Sequence, residues 1–181
     1  MRLRVVAGRF GGRFIEAPRG RTTRPTPERV REAWFSALGE DVLGATVLDL
    51  FAGSGAMGIE ALSRGARHVH FVEADRRALE TLRRNLDVLG VRDLATVVRN
   101  DVFRWLAAQE GKWDLALADP PYAGGGAARL ARVFRDVPFA DRLWVEHASS
   151  DVEFGMEPAW SRRYGDSRVS RFNAVEDARE D

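Results

Sequence analysis

The chain has 181 residues, of which 45% are hydrophobic and 30% are charged, and it contains no cysteine. That length predicts one domain, and the composition is typical of a globular protein rather than a disordered one. The sequence has no apolar run of the roughly 20 residues that cross a bilayer, and its first residues lack the apolar region of a secretory signal. The lack of cysteine excludes disulfides and cysteine-based zinc sites. We therefore expect a cytosolic protein without a membrane segment.

The net charge of +1 hides an uneven distribution. Residues 1–31 contain nine arginines and two acids, a net charge of +7, whereas the rest of the chain has 19 basic and 25 acidic side chains, a net charge of −6. A basic segment on an acidic body favours a polyanionic partner. The alternative is a solvated basic loop that has no partner.

The hydrophobic pattern predicts strands that alternate with helices. Two short strands, 2–8 and 13–18, precede a loop and a helix that begins at Thr26 and Pro27 and ends near Leu38. The next predicted elements are a strand 46–51, a helix 56–65, a strand 68–74, a helix 75–90, a strand 94–100, a helix 102–108, a strand 112–119, a helix 126–135 and a strand 141–148. A β-hairpin at 160–172, which turns at Gly165 and Asp166, follows them.

This order predicts an α/β fold with a mostly parallel seven-stranded sheet, a C-terminal antiparallel hairpin and a small N-terminal β-hairpin extension. We divide the chain into a basic hairpin and loop (1–26), the main domain (27–173) and a flexible tail (174–181).

A glycine-rich turn follows the first strand of the main domain. The residues Ala52-Gly53-Ser54-Gly55-Ala56-Met57-Gly58 contain the pattern G-x-G-x-x-G between a buried strand and a helix, where it cradles an adenosine-type ligand. Glu73 ends the next strand, where a carboxylate can accept both hydroxyls of a ribose. The alternative is a tight turn with no ligand.

NAD and S-adenosylmethionine (SAM) both fit this motif. Asp49 favours SAM, because an acid beside the glycines suits a sulfonium or an ammonium better than a pyrophosphate. The chain is also short for a dehydrogenase with a separate substrate domain.

A second motif, Asp119-Pro120-Pro121-Tyr122, follows the fourth strand of the predicted main sheet. In open α/β sheets ligands bind beyond the carboxyl ends of the strands, so this motif should face the glycine turn. The carboxylate and the proline carbonyls form a cluster of hydrogen-bond acceptors that suits the exocyclic amine of a nucleobase, and Tyr122 offers a ring for stacking. The alternative is a cis-proline turn with a structural role only.

The aspartate favours guanine over adenine as the target base. A carboxylate can accept the adjacent N1–H and N2–H groups of guanine together, whereas adenine presents one donor and one acceptor. An adenine N6 site remains open, since one carboxylate oxygen can serve it. Methyl transfer to such an amine depends mainly on orientation and electrostatics.

The chain resembles the bacterial RsmD family, which methylates N2 of a guanine in 16S ribosomal RNA with SAM. The resembling stretches are RVVAGRFGGRFIEAP (4–18), RPTPERVREAWFSAL (24–38), VLDLFAGSGAMGIEALSRGA (47–66), FVEAD (71–75), ND (100–101) and ADPPY (118–122). The resemblance implies a Rossmann-like SAM-dependent methyltransferase fold.

The resemblance also implies roles for individual residues. Cofactor contacts are expected from Asp49, Phe51, Ala52, Gly53, Ser54, Gly55, Glu73, Ala74, Asn100 and Asp101, while Thr26 and Arg29 would lie over the cofactor or the RNA. Asp119, Pro120, Pro121 and Tyr122 would hold the target base, and Arg2, Arg4, Arg9, Arg13 and Arg24 would contact RNA. Asp101 has a second interpretation as a helix cap. The run Gly124-Gly125-Gly126 departs from the family pattern.

Three further expectations concern metals and partners. The three histidines, His68, His70 and His147, lack the spacing of metal ligands, and we expect no metal site. We expect 16S ribosomal RNA as the partner, within a small ribosomal subunit or an assembly intermediate. We expect a monomer.

Overall fold

The computed structural model describes residues 1–17, 28–149 and 152–174. It has nine strands, five α-helices and two short 3-10 helices in this part of the chain. The strands are β1 (Arg2–Arg4), β2 (Phe14–Glu16), β3 (Thr46–Leu50), β4 (His68–Glu73), β5 (Ala95–Arg99), β6 (Trp113–Ala118), β7 (Ala140–Ala148), β8 (Trp160–Tyr164) and β9 (Ser167–Asn173). The helices are α1 (Glu28–Leu38), α2 (Ala56–Ser63), α3 (Arg76–Leu89), α4 (Val102–Leu106) and α5 (Gly126–Asp136).

The main sheet has seven strands in the order β5-β4-β3-β6-β7-β9-β8. The first five of these are parallel, and β9 pairs antiparallel with both β7 and β8. The predicted architecture is therefore confirmed, including the C-terminal hairpin. Strands β3, β4 and β5 follow one another toward one side of the sheet, and β6 and β7 toward the other. At such a switch point, here between β3 and β6, the crossing helices diverge and leave a crevice at the carboxyl ends of the strands.

The two core layers follow from side-chain alternation along the strands. In β3, Val47 packs on the side of α1, α2 and α3, while Leu48 and Leu50 pack on the side of α4 and α5. Residues Val47–Leu50 are almost fully buried, as expected for a parallel strand that is covered on both faces.

Helix α3 has the boundaries that its capping residues predict. The Asp75 carboxylate accepts a hydrogen bond from the Ala78 N–H at 2.8 Å, and Gly90 ends the helix with a φ of +68°. An aspartate before the first turn and a left-handed glycine after the last turn are the usual signals for both ends.

Strands β1 and β2 form the N-terminal hairpin and are shorter than the predicted 2–8 and 13–18. The chain leaves the strand after Arg4 because the N–H groups of Val6 and Ala7 donate to the Glu60 carboxylate on α2, at 2.8 and 3.1 Å. Val5, Phe10 and Ile15 are buried in the core layer of α1–α3, so the N-terminal hairpin packs on the main domain.

Several predictions fall on residues outside the described ranges. The helix start at Thr26 and Pro27, the RNA contact of Arg24, the boundary at residue 26 and most of the 174–181 tail are among them. In the described ranges, no helix has the length and apolarity that crossing a membrane requires.

Candidate active site

Both predicted motifs lie at the carboxyl edge of the sheet, on adjacent strands. The glycine turn follows β3, the Asp119–Tyr122 motif follows β6, and these strands pair directly, with Leu50 opposite Ala118. Two motifs that are far apart in the sequence are thereby brought to one crevice. The geometry gives a ligand on the glycine turn direct access to a group held by the second motif.

The glycine turn is fixed on one side and open on the other. Gly55 has a φ of +81°, and a Cβ on it would lie 2.2 Å from a methyl carbon of Leu82, so the core holds this part of the turn tightly. Gly53 has a φ of +57°, and the described atom nearest to the position of a Cβ on it is the Phe51 carbonyl oxygen at 3.9 Å. The open side at Gly53 leaves room for a ligand to approach the backbone.

Phe51 adopts a left-handed backbone conformation, with a φ of +59°. This conformation is unfavourable for a bulky side chain, and such strain clusters at functional sites. It turns the chain out of β3 and into the glycine turn. The Phe51 ring packs edge-on against Phe103, whose other contacts include the Arg129 guanidinium at 3.9 Å from the ring centre.

Four carboxylates, which we call the acid row, lie on one face at the ends of four neighbouring strands. They are Glu73 on β4, Asp49 on β3, Asp119 after β6 and Glu146 on β7. Each is two positions beyond a residue of the α1–α3 core layer, so alternation directs all four side chains to that face. Extending the strand register puts Glu73, Asp119 and Glu146 at the same level of the sheet, with β3 between Glu73 and Asp119, and puts Asp49 two residues earlier on β3.

The acid row perturbs Asp49, whose side chain is almost completely buried. Burial raises the pKa of Asp49 well above its usual value, the negative charges of Asp119 and Glu73 raise it further, and a hydrogen bond from the Gly58 N–H at 2.9 Å partly offsets the rise. A concentration of negative charge in a buried crevice favours a cationic ligand. The positively charged sulfonium and ammonium groups of SAM fit these carboxylates, whereas the negatively charged pyrophosphate of NAD does not.

Glu73 also fixes the glycine turn. One of its oxygens accepts the Gly53 N–H and the other accepts the Asp75 N–H, both at 2.8 Å. This carboxylate therefore joins the end of β4 to the turn after β3. These two backbone contacts hold the carboxylate where the sequence predicts a contact with a ribose.

Tyr122 is held by Glu146, a residue that the sequence analysis missed. The Tyr122 hydroxyl donates to a Glu146 carboxylate oxygen at 3.2 Å, while 54% of the tyrosine surface is exposed. Burial of the hydroxyl and the charges of Glu146 and Asp119 raise the pKa of Tyr122 far above its usual value, so the phenol stays protonated. Its ring is thus anchored at one end and free to stack at the crevice. The signal in the sequence was an acid inside the apolar strand 140–148.

The glycine run after the second motif has a steric cause. Gly124 and Gly125 have φ values of +88° and +66°, and a Cβ on Gly126 would lie 3.0 Å from the Pro120 side chain. The run therefore turns the chain sharply and lets α5 start against the buried Pro120.

Every described peptide bond, including those before Pro120 and Pro121, is trans, so the cis-proline alternative was wrong.

Asn100, Asp101 and Ala74 lie at the β4–β5 end of the edge. The Asn100 N–H donates to the Glu73 carbonyl at 3.2 Å, and Ala74 is exposed beside it. Asp101 is exposed and caps α4, accepting a hydrogen bond from the Arg104 N–H at 2.9 Å. The structure thus gives Asp101 the capping role that the sequence offered as its second interpretation, and one carboxylate oxygen remains outside that bond.

Ala52 and Ser54 line the back of the glycine turn. The Ala52 N–H donates to the Val72 carbonyl at 3.1 Å, and the Ser54 carbonyl accepts from the Asn85 side-chain amide at 2.9 Å. Both residues therefore fix the turn against β4 and α3.

The predicted RNA-binding arginines of the N-terminal hairpin are exposed, and they lie at different places along the domain. Arg9 and Arg13 flank the Phe10 ring and lie beside the C-terminal ends of α2 and α3. These helix ends lie at the amino edge of the sheet, where the parallel strands begin. Arg2 packs over Phe14, and Arg4 pairs with Glu28 at 3.5 Å. The structure therefore does not bring Arg9 and Arg13 to the crevice.

Arg29, in the first turn of α1, lies beside the C-terminal hairpin. One of its terminal nitrogens is 3.7 Å from the position of a Cβ on Gly165, in the turn between β8 and β9.

The histidines take part in internal contacts. His70 accepts a hydrogen bond from the Trp113 indole at 3.0 Å, and His147 contacts Ser170 at 2.8 Å. No cluster of potential metal ligands is present among the described residues.

Comparison with known proteins identifies relatives over most of the chain. Residues 3–141 match the family model described as "Conserved hypothetical protein 95". A provisionally named rRNA methyltransferase of Bacillus subtilis (strain 168), YlbH, is 44% identical over 123 residues, which cover 66% of this chain and 67% of that protein. Ribosomal RNA small subunit methyltransferase D of Escherichia coli (strain K12) is 33% identical over 154 residues, which cover 85% of this chain and 77% of that protein.

A solved structure shares the whole architecture. The structure of a hypothetical protein from Thermus thermophilus aligns with a TM-score of 0.82 and 28% identity, covering 95% of this chain and 99% of that one. Its coverage includes both the parallel sheet and the elements that flank it.

Proposed function

This chain belongs to the RsmD family of ribosomal RNA methyltransferases, and we propose that it transfers a methyl group from SAM to the exocyclic N2 of one guanine in 16S ribosomal RNA. The observation that carries this proposal is the crevice at the switch point. There the glycine turn and the Asp119–Tyr122 motif follow adjacent parallel strands, and the acid row runs across the ends of these strands and their two neighbours. The protein would act in the cytosol, as a monomer, on a small ribosomal subunit or an assembly intermediate.

The residues of the glycine turn, together with Asp49 and Glu73 of the acid row, would hold the cofactor. Asp49 and the turn from Phe51 to Gly55 surround the place for its methionine part, Glu73 would bind the ribose, and the Asn100–Asp101 end of the edge would receive the adenine. Bound SAM supplies a methyl group on a positively charged sulfur, which is electrophilic.

The Asp119–Tyr122 motif would hold the target guanine. The Asp119 carboxylate accepts N–H groups of the base, and the Pro120 carbonyl adds a second acceptor for the amine. These acceptors fix the amine so that its nitrogen lone pair is directed at the methyl group, which is the main requirement for a weak nucleophile. Glu146 keeps the Tyr122 ring in place for stacking on the base. The amine loses its proton after the transfer.

The proposal is tested by methyl transfer from tritiated SAM. Hypomethylated small ribosomal subunits and, separately, their deproteinised 16S RNA are incubated with the protein, and the product is digested to nucleosides. We expect the label in N2-methylguanosine. Label in N6-methyladenosine would instead identify an adenine methyltransferase and contradict the proposed target.

The Asp119→Ala variant tests the proposed role of this carboxylate. It removes the acceptor that orients the amine, so we expect methyl transfer to fall at least 100-fold, in the range lost when a single orienting or electrostatic contact is removed. SAM affinity should stay within a few fold, as measured by calorimetry. Asp136→Ala removes an exposed acid at the end of α5 and is the matched control. Transfer by Asp119→Ala at the control's rate would refute the role.

A further inference from the structure

We propose, on the basis of the function above, that the tip of the C-terminal hairpin and the first turn of α1 form a phosphate-binding surface for the RNA strand that carries the target base. This surface, which we call the hairpin-tip surface, consists of four arginines: Arg29, Arg162, Arg163 and Arg168.

The strand register places the hairpin-tip surface at the edge that holds the crevice. Strand β9 runs antiparallel to β7, and Ala148 at the carboxyl end of β7 lies opposite Ser167 at the start of β9. The Ser149 N–H donates to the Asp166 carbonyl in the hairpin turn at 2.9 Å, which fixes the tip just beyond that end. Glu146 lies on the same strand end and bonds Tyr122. The tip is therefore next to the proposed base pocket.

The hairpin tip carries positive charge on both of its faces, because side-chain alternation directs Arg162 to one face and Arg163, with Arg168 opposite it, to the other. Arg163 and Arg168 are direct cross-strand partners, an arrangement of like charges that destabilises a hairpin unless an anion bridges them. Among the residues that the structure describes, none of the four arginines forms an ion pair with a carboxylate, whereas Arg64, Arg76 and Arg92 each do.

The contacts of these arginines with the described residues leave their charge available. The Arg163 Nε donates to the Gly165 carbonyl at 2.8 Å, and an Arg168 terminal nitrogen donates to the Ser161 hydroxyl at 3.3 Å. Arg162 lies over the Tyr164 ring, with its guanidinium carbon 5.6 Å from the ring centre. These neutral partners orient the guanidinium groups without neutralising them. Asp166 is the acid of the turn itself, and the tip keeps an excess of positive charge.

A nucleic acid strand is the partner that matches this arrangement. The acid row makes the crevice negative, and the hairpin-tip surface makes its rim positive, so a cation is favoured inside and an anion outside. Guanidinium groups bind phosphate with two parallel hydrogen bonds. A base that leaves its stack to enter the crevice carries its own phosphates with it, and these would meet the rim.

The test removes two exposed charges of the tip. The Arg162→Gln/Arg163→Gln variant is compared with Arg132→Gln/Arg135→Gln, which removes two exposed arginines of α5. Arg135 loses an exposed ion pair with Asp136, which costs little. Binding of deproteinised 16S RNA is measured by filter retention at several salt concentrations, SAM binding by calorimetry, and folding by thermal denaturation.

We expect the tip variant to bind the RNA roughly tenfold more weakly, with a log–log salt slope reduced by about 1.4, the value for two phosphate contacts on a single strand. SAM affinity should match that of the control, and the melting temperature should equal or exceed it, because the repulsion between Arg163 and Arg168 is removed. Equal RNA affinity and equal salt slope for the two variants would overturn the inference. This binding readout is independent of the proposed reaction, because the wild type's methyl transfer is judged separately by its nucleoside product.

Discussion

The ionised carboxylate of Asp49 is expected to favour binding of the cofactor and to lower the stability of the fold. Its pKa is raised by burial and by the charges of Asp119 and Glu73, so the ionised form costs folding free energy above that pKa. The cost disappears as the pH falls and the carboxyl group becomes protonated. The same ionised group is the one that attracts a cation. We therefore expect Asp49 to act in binding, because its charge does not stabilise the fold.

The Asp49→Asn variant separates these two effects. The amide oxygen can still accept the Gly58 N–H, so the turn keeps its hydrogen bond. At about pH 7.5 we expect a higher melting temperature, by about 2–4 °C for each kcal/mol of relieved cost, and at least tenfold weaker SAM binding. The gain in stability should shrink as the pH is lowered. Calorimetry and thermal denaturation check both expectations.

Asp93→Asn, at an exposed position, is the control for Asp49→Asn. It should change neither property. A lower melting temperature for Asp49→Asn would show that the carboxylate stabilises the fold.

Two features of the site, the role of Glu146 and the backbone conformation of Phe51, could not be predicted from the sequence. The acid row could be predicted for Asp49, Glu73 and Asp119, because each ends a strand beside a recognisable motif. Glu146 could not, since its role depends on β7 lying next to β6 and on the Tyr122 ring reaching across. The left-handed backbone of Phe51 has no local signal either, because a phenylalanine rarely takes that conformation.

At the scale of elements, Glu60 joins the N-terminal hairpin to α2. Its carboxylate is fully buried and accepts two backbone N–H groups, and it pairs with Arg64 at 2.8 Å and with the buried Arg31 at 3.9 Å. Burial lowers the pKa of Arg31, and the Glu60 charge offsets this. A network of this kind costs little when complete and much when one member is removed.

The Glu60→Ala variant should lose about 3–5 kcal/mol of unfolding free energy, because it leaves the Arg31 charge buried without its partner. Urea denaturation measures the loss, and limited proteolysis should show earlier cleavage within the N-terminal hairpin.

Glu80→Ala is the matched control, since Glu80 pairs with Arg76 on an exposed helix face, and its loss should be much smaller than that of Glu60→Ala. The Arg31→Met/Glu60→Gln double variant should recover part of the stability. Similar small losses for Glu60→Ala and Glu80→Ala would contradict the proposed network.

Most elements of the sheet could be predicted because their signals are local. Helix α3 has its aspartate cap and its terminal glycine, and the C-terminal hairpin turns at Gly165 as expected. Strands β1 and β2 were predicted too long, because the carboxylate that draws the chain out of β1 belongs to Glu60, far along the sequence on α2. Hydrophobic periodicity cannot report a partner at that distance.

At the scale of the whole molecule, the basic residues lie at both edges of the sheet. The hairpin-tip surface borders the crevice, whereas Arg9 and Arg13 lie beside the ends of α2 and α3 at the opposite edge. On the proposed function, we expect a single RNA strand that enters the crevice to contact the hairpin-tip surface, and RNA that extends around the domain to contact Arg9 and Arg13. The concentration of charge in residues 1–31 predicted a polyanionic partner but not this division.

The Arg9→Gln/Arg13→Gln variant tests that division. We expect weaker methylation of intact small subunits or full 16S RNA, with at least a threefold rise in KM. A short oligonucleotide around the methylated guanine, chosen once that base has been mapped, should be methylated as well as by the wild type. The hairpin-tip variant Arg162→Gln/Arg163→Gln should be weaker on both substrates. A loss on the short oligonucleotide for Arg9→Gln/Arg13→Gln would place these arginines near the crevice instead.

The attachment of the N-terminal hairpin has a consequence for folding during synthesis. Val6, Ala7 and Phe10 leave the ribosome early, but their partners Glu60 and Ser63 are synthesised much later. The hairpin therefore cannot take its native position until α2 has emerged, and its basic side chains stay exposed on an undocked segment meanwhile. Its docking is a contact of long sequence separation, which forms slowly compared with the helices. The native position of the N-terminal hairpin thus depends on a helix that is made after it.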